Sequence, residues 1–118
     1  MPLFRRPKQQ APPPSEHAVI VHLPLSGGGF GTEDERTAVY ALEDRIIAAV
    51  EPVGGDHDGH EFGAGEAVLY TYGADASALF DAIKPCLDDF APSPGAYAIK
   101  RFGPATDPDS RQERVQLT

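Results

Sequence analysis

Two strand-type runs, DHDGHEF (56–62) and EAVLYTY (66–72), are separated only by Gly63-Ala64-Gly65. So short a connection leaves no room for a crossover, so the second run must fold back beside the first as a hairpin with a glycine-containing turn. Every other element has to be arranged around that antiparallel pair.

Upstream, HAVIVHL (17–23) is β-branched, apolar and bounded by Pro24, the pattern of a buried strand. Thr32 then opens a helix. Thr32 and Glu35 have capping-box spacing, and Glu33 and Asp34 suit the positive end of the helix dipole. Val39, Leu42, Ile46 and Val50 recur on one face until about residue 51, where Pro52, Gly54 and Gly55 end the pattern. Downstream, Asp75 is placed as an N-cap for a second helix carrying Leu79, Phe80, Ile83, Leu87 and Phe90, with Pro85 expected to kink or shorten it. AYAIKRF (96–102) supplies a last strand. The order β-α-β-β-α-β predicts an α+β domain over residues 17–103. It would be a four-stranded antiparallel sheet with two helices on one face, the ferredoxin-like arrangement, and its other face would be uncovered. Residues 1–16, MPLFRRPKQQAPPPSE, read as a disordered, proline-rich basic arm, and residues 104–118 as a flexible polar tail.

Charge is unevenly spread along the chain. Residues 17–103 hold five Lys or Arg against fourteen Asp or Glu, within a total of −8. An acidic body lacks the clustered cations that displace counterions from nucleic acid, so DNA is not an expected partner. It suits a basic protein partner instead. The single cysteine, Cys86, cannot close an internal disulfide. The basic start is not followed by an apolar core of a secretory signal, and no run approaches the roughly 20 apolar residues of a membrane span. The expectation is a cytoplasmic protein that does not engage membranes.

LPLSGGGFGTEDER (23–36) places four glycines between a strand and a helix, where phosphate loops occur. The Walker Lys-Ser/Thr ending is missing, and the third glycine of a dinucleotide fingerprint is replaced by Thr32. Glu33, Asp34 and Glu35 already claim the positive helix end. The loop reads as a flexible connector, or as the lip of a binding site.

Asp56, His57, Asp58, His60 and Glu61 are ligand-type residues, and His22 could add another. Strict alternation would put Asp58 and His60 on one face and His57 and Glu61 on the other, too few for zinc from either side. No metal, cofactor or catalytic residue is expected. The serines lack a motif tying them to a base, and Cys86 falls in an apolar helical pattern.

Aromatic residues are more informative. Alternation places Val68, Tyr70 and Tyr72 on one face of their strand, and Tyr97, Ile99 and Arg101 on one face of the last. Either these tyrosines pack beneath the helices, or they occupy the open face with His22, His60 and Lys100 as a surface for a partner or a second copy. With the acidic helix start, the candidate partner-binding residues are Glu33, Asp34, Glu35, His60, Tyr70, Tyr72, Tyr97 and Lys100.

The stretch ALEDRIIAAVEPVGGDHDGHEFGAGEAVLYTYGADASALFDAIKPCL (41–87) resembles the ribonuclease E inhibitor B family: an acidic helix, a D-G-containing strand, a glycine hairpin, LYxYG and a helix opening at Asp75. That resemblance implies a ferredoxin-like fold and a role in RNA turnover through binding a ribonuclease. The acidic body, the open sheet face and the lack of a catalytic motif make the leading expectation a non-enzymatic regulatory protein acting through protein contacts. Its rivals are a small enzyme or small-molecule binder using the open face and glycine loop, and an immunity protein against a basic toxin.

Overall fold

The computed structural model describes residues 16–118, so the reading of the basic arm over 1–16 falls almost wholly outside the described residues. Strand β1 (His17–Pro24) leads through a glycine-rich turn into helix α1 (Glu33–Val50). The hairpin follows as β2 (Asp56–Gly63) and β3 (Glu66–Gly73), then helix α2 (Ala76–Phe90), β4 (Tyr97–Arg101) and β5 (Gln112–Gln116). The five strands form one sheet in the order β2-β3-β1-β4-β5, and every neighbouring pair is antiparallel.

Both helices begin where their caps dictate. The Thr32 side chain accepts from the Glu35 amide while the Glu35 side chain accepts from the Thr32 amide, and the Asp75 carboxylate accepts from Ser77 and Ala78. The hairpin turn is reduced to Ala64 and Gly65, both with positive φ (53° and 80°), as a turn matched to strand twist requires. Pro85 does not shorten α2. It lies on the exposed side of a helix that continues to Phe90.

Val19, Val21 and Leu23 of β1 point to the same side as Ala67 and Leu69 of β3 and Ala98 of β4. Against them pack Val39, Leu42, Ile46 and Val50 from α1, and Leu79, Phe80, Ile83, Cys86 and Leu87 from α2. This single apolar layer is the core, and the intervening residues of each strand face away from it.

The expectation of four strands is corrected to five. Residues 112–116, assigned to a polar tail, pair with β4 along its outer edge. Val115 and Leu117 reach back to the core, and the Leu117 amide donates to the Ala96 carbonyl at 2.9 Å.

Two stability outcomes follow. Leu42→Ala and Ile83→Ala, both at buried positions, should each cost about 2–5 kcal/mol in chemical denaturation, because each leaves a cavity between helix and sheet. Ending the chain after residue 105 should lower the melting temperature by about 10 °C or more, since it removes two partly buried apolar side chains and bares the edge of β4. An unchanged melting curve would show that β5 contributes nothing to the domain.

Candidate functional site

The face of the sheet turned away from the helices is organised in rows running across all five strands. From β2 to β5 these read Asp56–Tyr72–Ala18–Arg101–Gln112, then Gly59–Tyr70–Ile20–Ile99–Arg114, then Glu61–Val68–His22–Tyr97–Gln116. The side chains lean on one another. The Arg114 guanidinium lies 3.6 Å from the Tyr97 ring centroid, and Tyr97 stacks on His22 with centroids 4.4 Å apart and planes 10° from parallel. His22 Nδ1 in turn lies 3.1 Å from Glu66 Oε1. Near the β2 edge the Tyr70 hydroxyl donates to Glu61 Oε1 at 2.7 Å. That bond to a carboxylate, first, and partial burial, second, push the Tyr70 phenol up to about 12. Burial, with Asp58 nearby, raises Tyr72 as well.

The glycine loop is built differently from a phosphate cradle. The Glu35 carboxylate accepts from the Ser26 amide (3.1 Å), the Ser26 hydroxyl (2.9 Å) and the Thr32 amide (2.8 Å), so an internal anion takes the donors a phosphate would use. These bonds hold the Glu35 carboxyl below its usual range, the Thr32 and Ser26 amides contributing most. The loop is also tied to the hairpin: Leu25 N donates to Gly65 O, and Gly65 N to Gly29 O. Gly65 could not be replaced without strain, because a Cβ there would meet Gly28 Cα at 3.2 Å. The connector is thus anchored at both ends.

A third constellation lies on the helix side of β2. The strand carries a bulge: His57 pairs with Thr71 but Gly59 with Tyr70, leaving Asp58 as the extra residue, and Gly59 takes φ 144°. The insertion brings His57 and His60 to the same face, which overturns the alternation expected for DHDGHE. Both meet Glu43, a carboxylate on the core side of α1. His57 Nε2 lies 2.6 Å from Oε2 and His60 Nδ1 2.7 Å from Oε1. A carboxylate only accepts, so each imidazole donates to it. His57 Nδ1 is completed by Thr71 Oγ1 at 2.9 Å. Tyr40 and Phe62 pack their rings against His60, with centroids 5.4 and 4.7 Å away.

The chain Thr71–His57–Glu43 has the order of nucleophile, base and orienting acid, but the Thr71 residue is only 2% exposed and no substrate can reach it. The arrangement is a polar tether between α1 and β2. Among the described residues, no group of three or more His, Cys, Asp or Glu is placed to hold a metal ion. No described helix is long and apolar enough to cross a membrane.

The eight residues singled out from the sequence fall into three places. Tyr70, Tyr72 and Tyr97 share the uncovered face with His22. Glu33, Asp34 and Glu35 lie at the start of α1, with Glu35 engaged by the loop. His60 and Lys100 do not join the tyrosines, contrary to expectation: His60 opposes Leu69, and Lys100 opposes Val19, both on the helix side. Lys100 runs along that side with Nζ 5.4 Å from the Phe80 centroid and 3.5 Å from Glu113 Oε1. Arg114, Glu43 and Thr71 had not been singled out. Glu43 was signalled by its position, one turn after Val39 in the apolar stripe, and the bulge by Asp58-Gly59 inside a strand pattern.

No family model, curated protein or solved structure matches this chain.

Two measurements check the geometry. Glu43→Ala should cost about 1–3 kcal/mol in denaturant unfolding, because it leaves the imidazole of His57, 3% exposed, without its acceptor. In a tyrosine absorbance titration, one of the four phenols should ionise near pH 12 and move toward pH 10 in Glu61→Gln. The folded phenol is the weaker acid, so its contribution to stability is intact below pH 10 and lost as the pH rises through 12.

Proposed function

We propose that this is a non-enzymatic binding protein whose uncovered sheet face docks a protein partner. The core β1-α1-β2-β3-α2-β4 is read here as ferredoxin-like, with β5 added at one edge. The supporting observation is the composition of the face without helices: Ile20, Tyr70, Tyr72, Tyr97 and Ile99 form an apolar and aromatic centre, rimmed by carboxylates on β2 and β3 and by Arg114 on β5. Aromatic side chains with few degrees of freedom, flanked by charge, are what protein interfaces use as anchors. The similarity of residues 41–87 to ribonuclease E inhibitors makes ribonuclease E the first partner to test, as a regulator of RNA turnover.

The reading is tested by photo-crosslinking in native extract from two positions. A benzophenone side chain replacing Tyr70 should capture protein, whereas one replacing Asp81, exposed on α2, should capture little. Equal capture from both sites would remove the sheet face as the docking surface. Against an isolated partner, Tyr97→Ala should raise the dissociation rate by about tenfold or more.

A further inference from the structure

Resting on that reading, we infer that the partner of the sheet face is a second copy of this chain, packed face to face across a two-fold axis parallel to β1. The argument is the direction of the rows. At their β2 end stand Asp56 and Glu61, with Asp58 in the bulge beside Gly59; at their β4–β5 end stand Arg101, Gln112, Arg114 and Gln116. The middle is apolar or aromatic. Each row therefore runs from carboxylate or glycine to guanidinium or amide.

A two-fold axis along the central strand lays each row on the same row reversed. Ile20 then meets Ile20 of the second copy, and Tyr70 meets Ile99. The Arg114 side chain comes over the β2 bulge, within reach of Asp58 and Glu61, and Gln116 comes over Glu61. The arrangement is isologous, so each complementary contact is made twice. The strands of the two sheets stay nearly aligned, as in sheet-on-sheet packing, about 10 Å apart. No such match arises by turning the axis perpendicular to the strands, which keeps β2 over β2 and sets carboxylates against carboxylates.

The size of the face limits how tightly the copies hold. Five strands at about 4.8 Å spacing and roughly five residues of 3.3 Å each give about 400 Å² per copy in projection. Two such faces lie near the roughly 1,000 Å² at which specific interfaces begin. A reversible, concentration-dependent dimer is the expected species.

The test is sedimentation of the full chain across a concentration series, with charge reversals at the two ends of the rows. The wild type should pass from monomer to dimer. Arg114→Glu and Glu61→Arg should each weaken self-association about tenfold or more, because each sets like charges against one another twice. An equimolar mixture of the two variants should recover wild-type association, since the mixed pair restores opposite charges at both contacts. Misfolding cannot produce that mutual rescue. A wild type that stays monomeric to about 0.5 mM, or a dimer indifferent to both reversals, would overturn the inference. Should the chain be monomeric while the Tyr70 photoprobe still captures another protein, the docking reading survives and only the identity of the partner falls. A dimer whose Tyr70 probe captures nothing would place self-association elsewhere and end both.

Discussion

A carboxylate on the core side of a helix must be satisfied, and much of this fold's irregularity exists to do so. Glu43 occupies a position on α1 that the apolar stripe would otherwise fill, and it is nearly sealed from water. Left alone there, it would cost more than most single contacts in a small domain contribute. The bulge in β2 solves the problem by rotating His57 and His60 onto the helix side together, so that one imidazole reaches each oxygen. Thr71 on β3 then fixes the His57 ring from beyond. Three elements, α1, β2 and β3, are therefore held in one register by directional bonds rather than by apolar packing alone. Directional bonds specify geometry more strictly than they add stability.

The other side of the sheet obeys a different rule. No helix shields it, yet its large residues are half-buried because they shield one another. The sequence Arg114, Tyr97, His22, Glu66 is a run of cation, two rings and anion over four strands, the guanidinium and the two rings stacked face on face. Such a row keeps apolar ring surface out of water while the face remains open to a visitor. It also aligns the charges along the sheet, so the two halves of the face differ in sign. The helix side tethers and the open side presents.

Most of this architecture was legible in the residues because it rests on local signals. Thr32 and Glu35, Asp75, and the Gly63–Gly65 turn each act within a few positions, and the helical stripes repeat often enough to be counted. β5 was not legible. QERVQ offers the core one apolar residue, Val115, among four exposed polar ones, so its pairing with β4 and not its own pattern makes it a strand. The Glu43 site failed for a related reason. A bulge adds one residue to the count, and a count by twos then assigns every later side chain to the wrong face. Lys100 misled in another way. Two residues beyond Ala98, it falls by alternation on the helix side and not with Tyr97, and there its amine lies over the Phe80 and Phe102 rings, 3.5 Å from Glu113 Oε1.

The chain contains no tryptophan and four tyrosines. Three of these, Tyr70, Tyr72 and Tyr97, stand on the open sheet face, and the fourth, Tyr40, sits beside His60. Three of the four tyrosine fluorophores therefore stand on a single surface. Two of its emitters sit in environments that suppress fluorescence: Tyr70 donates to a carboxylate, and Tyr97 lies between a guanidinium and an imidazole. Whatever settles on that face must disturb those quenching contacts, so the molecule carries its own optical gauge of occupancy without any added label.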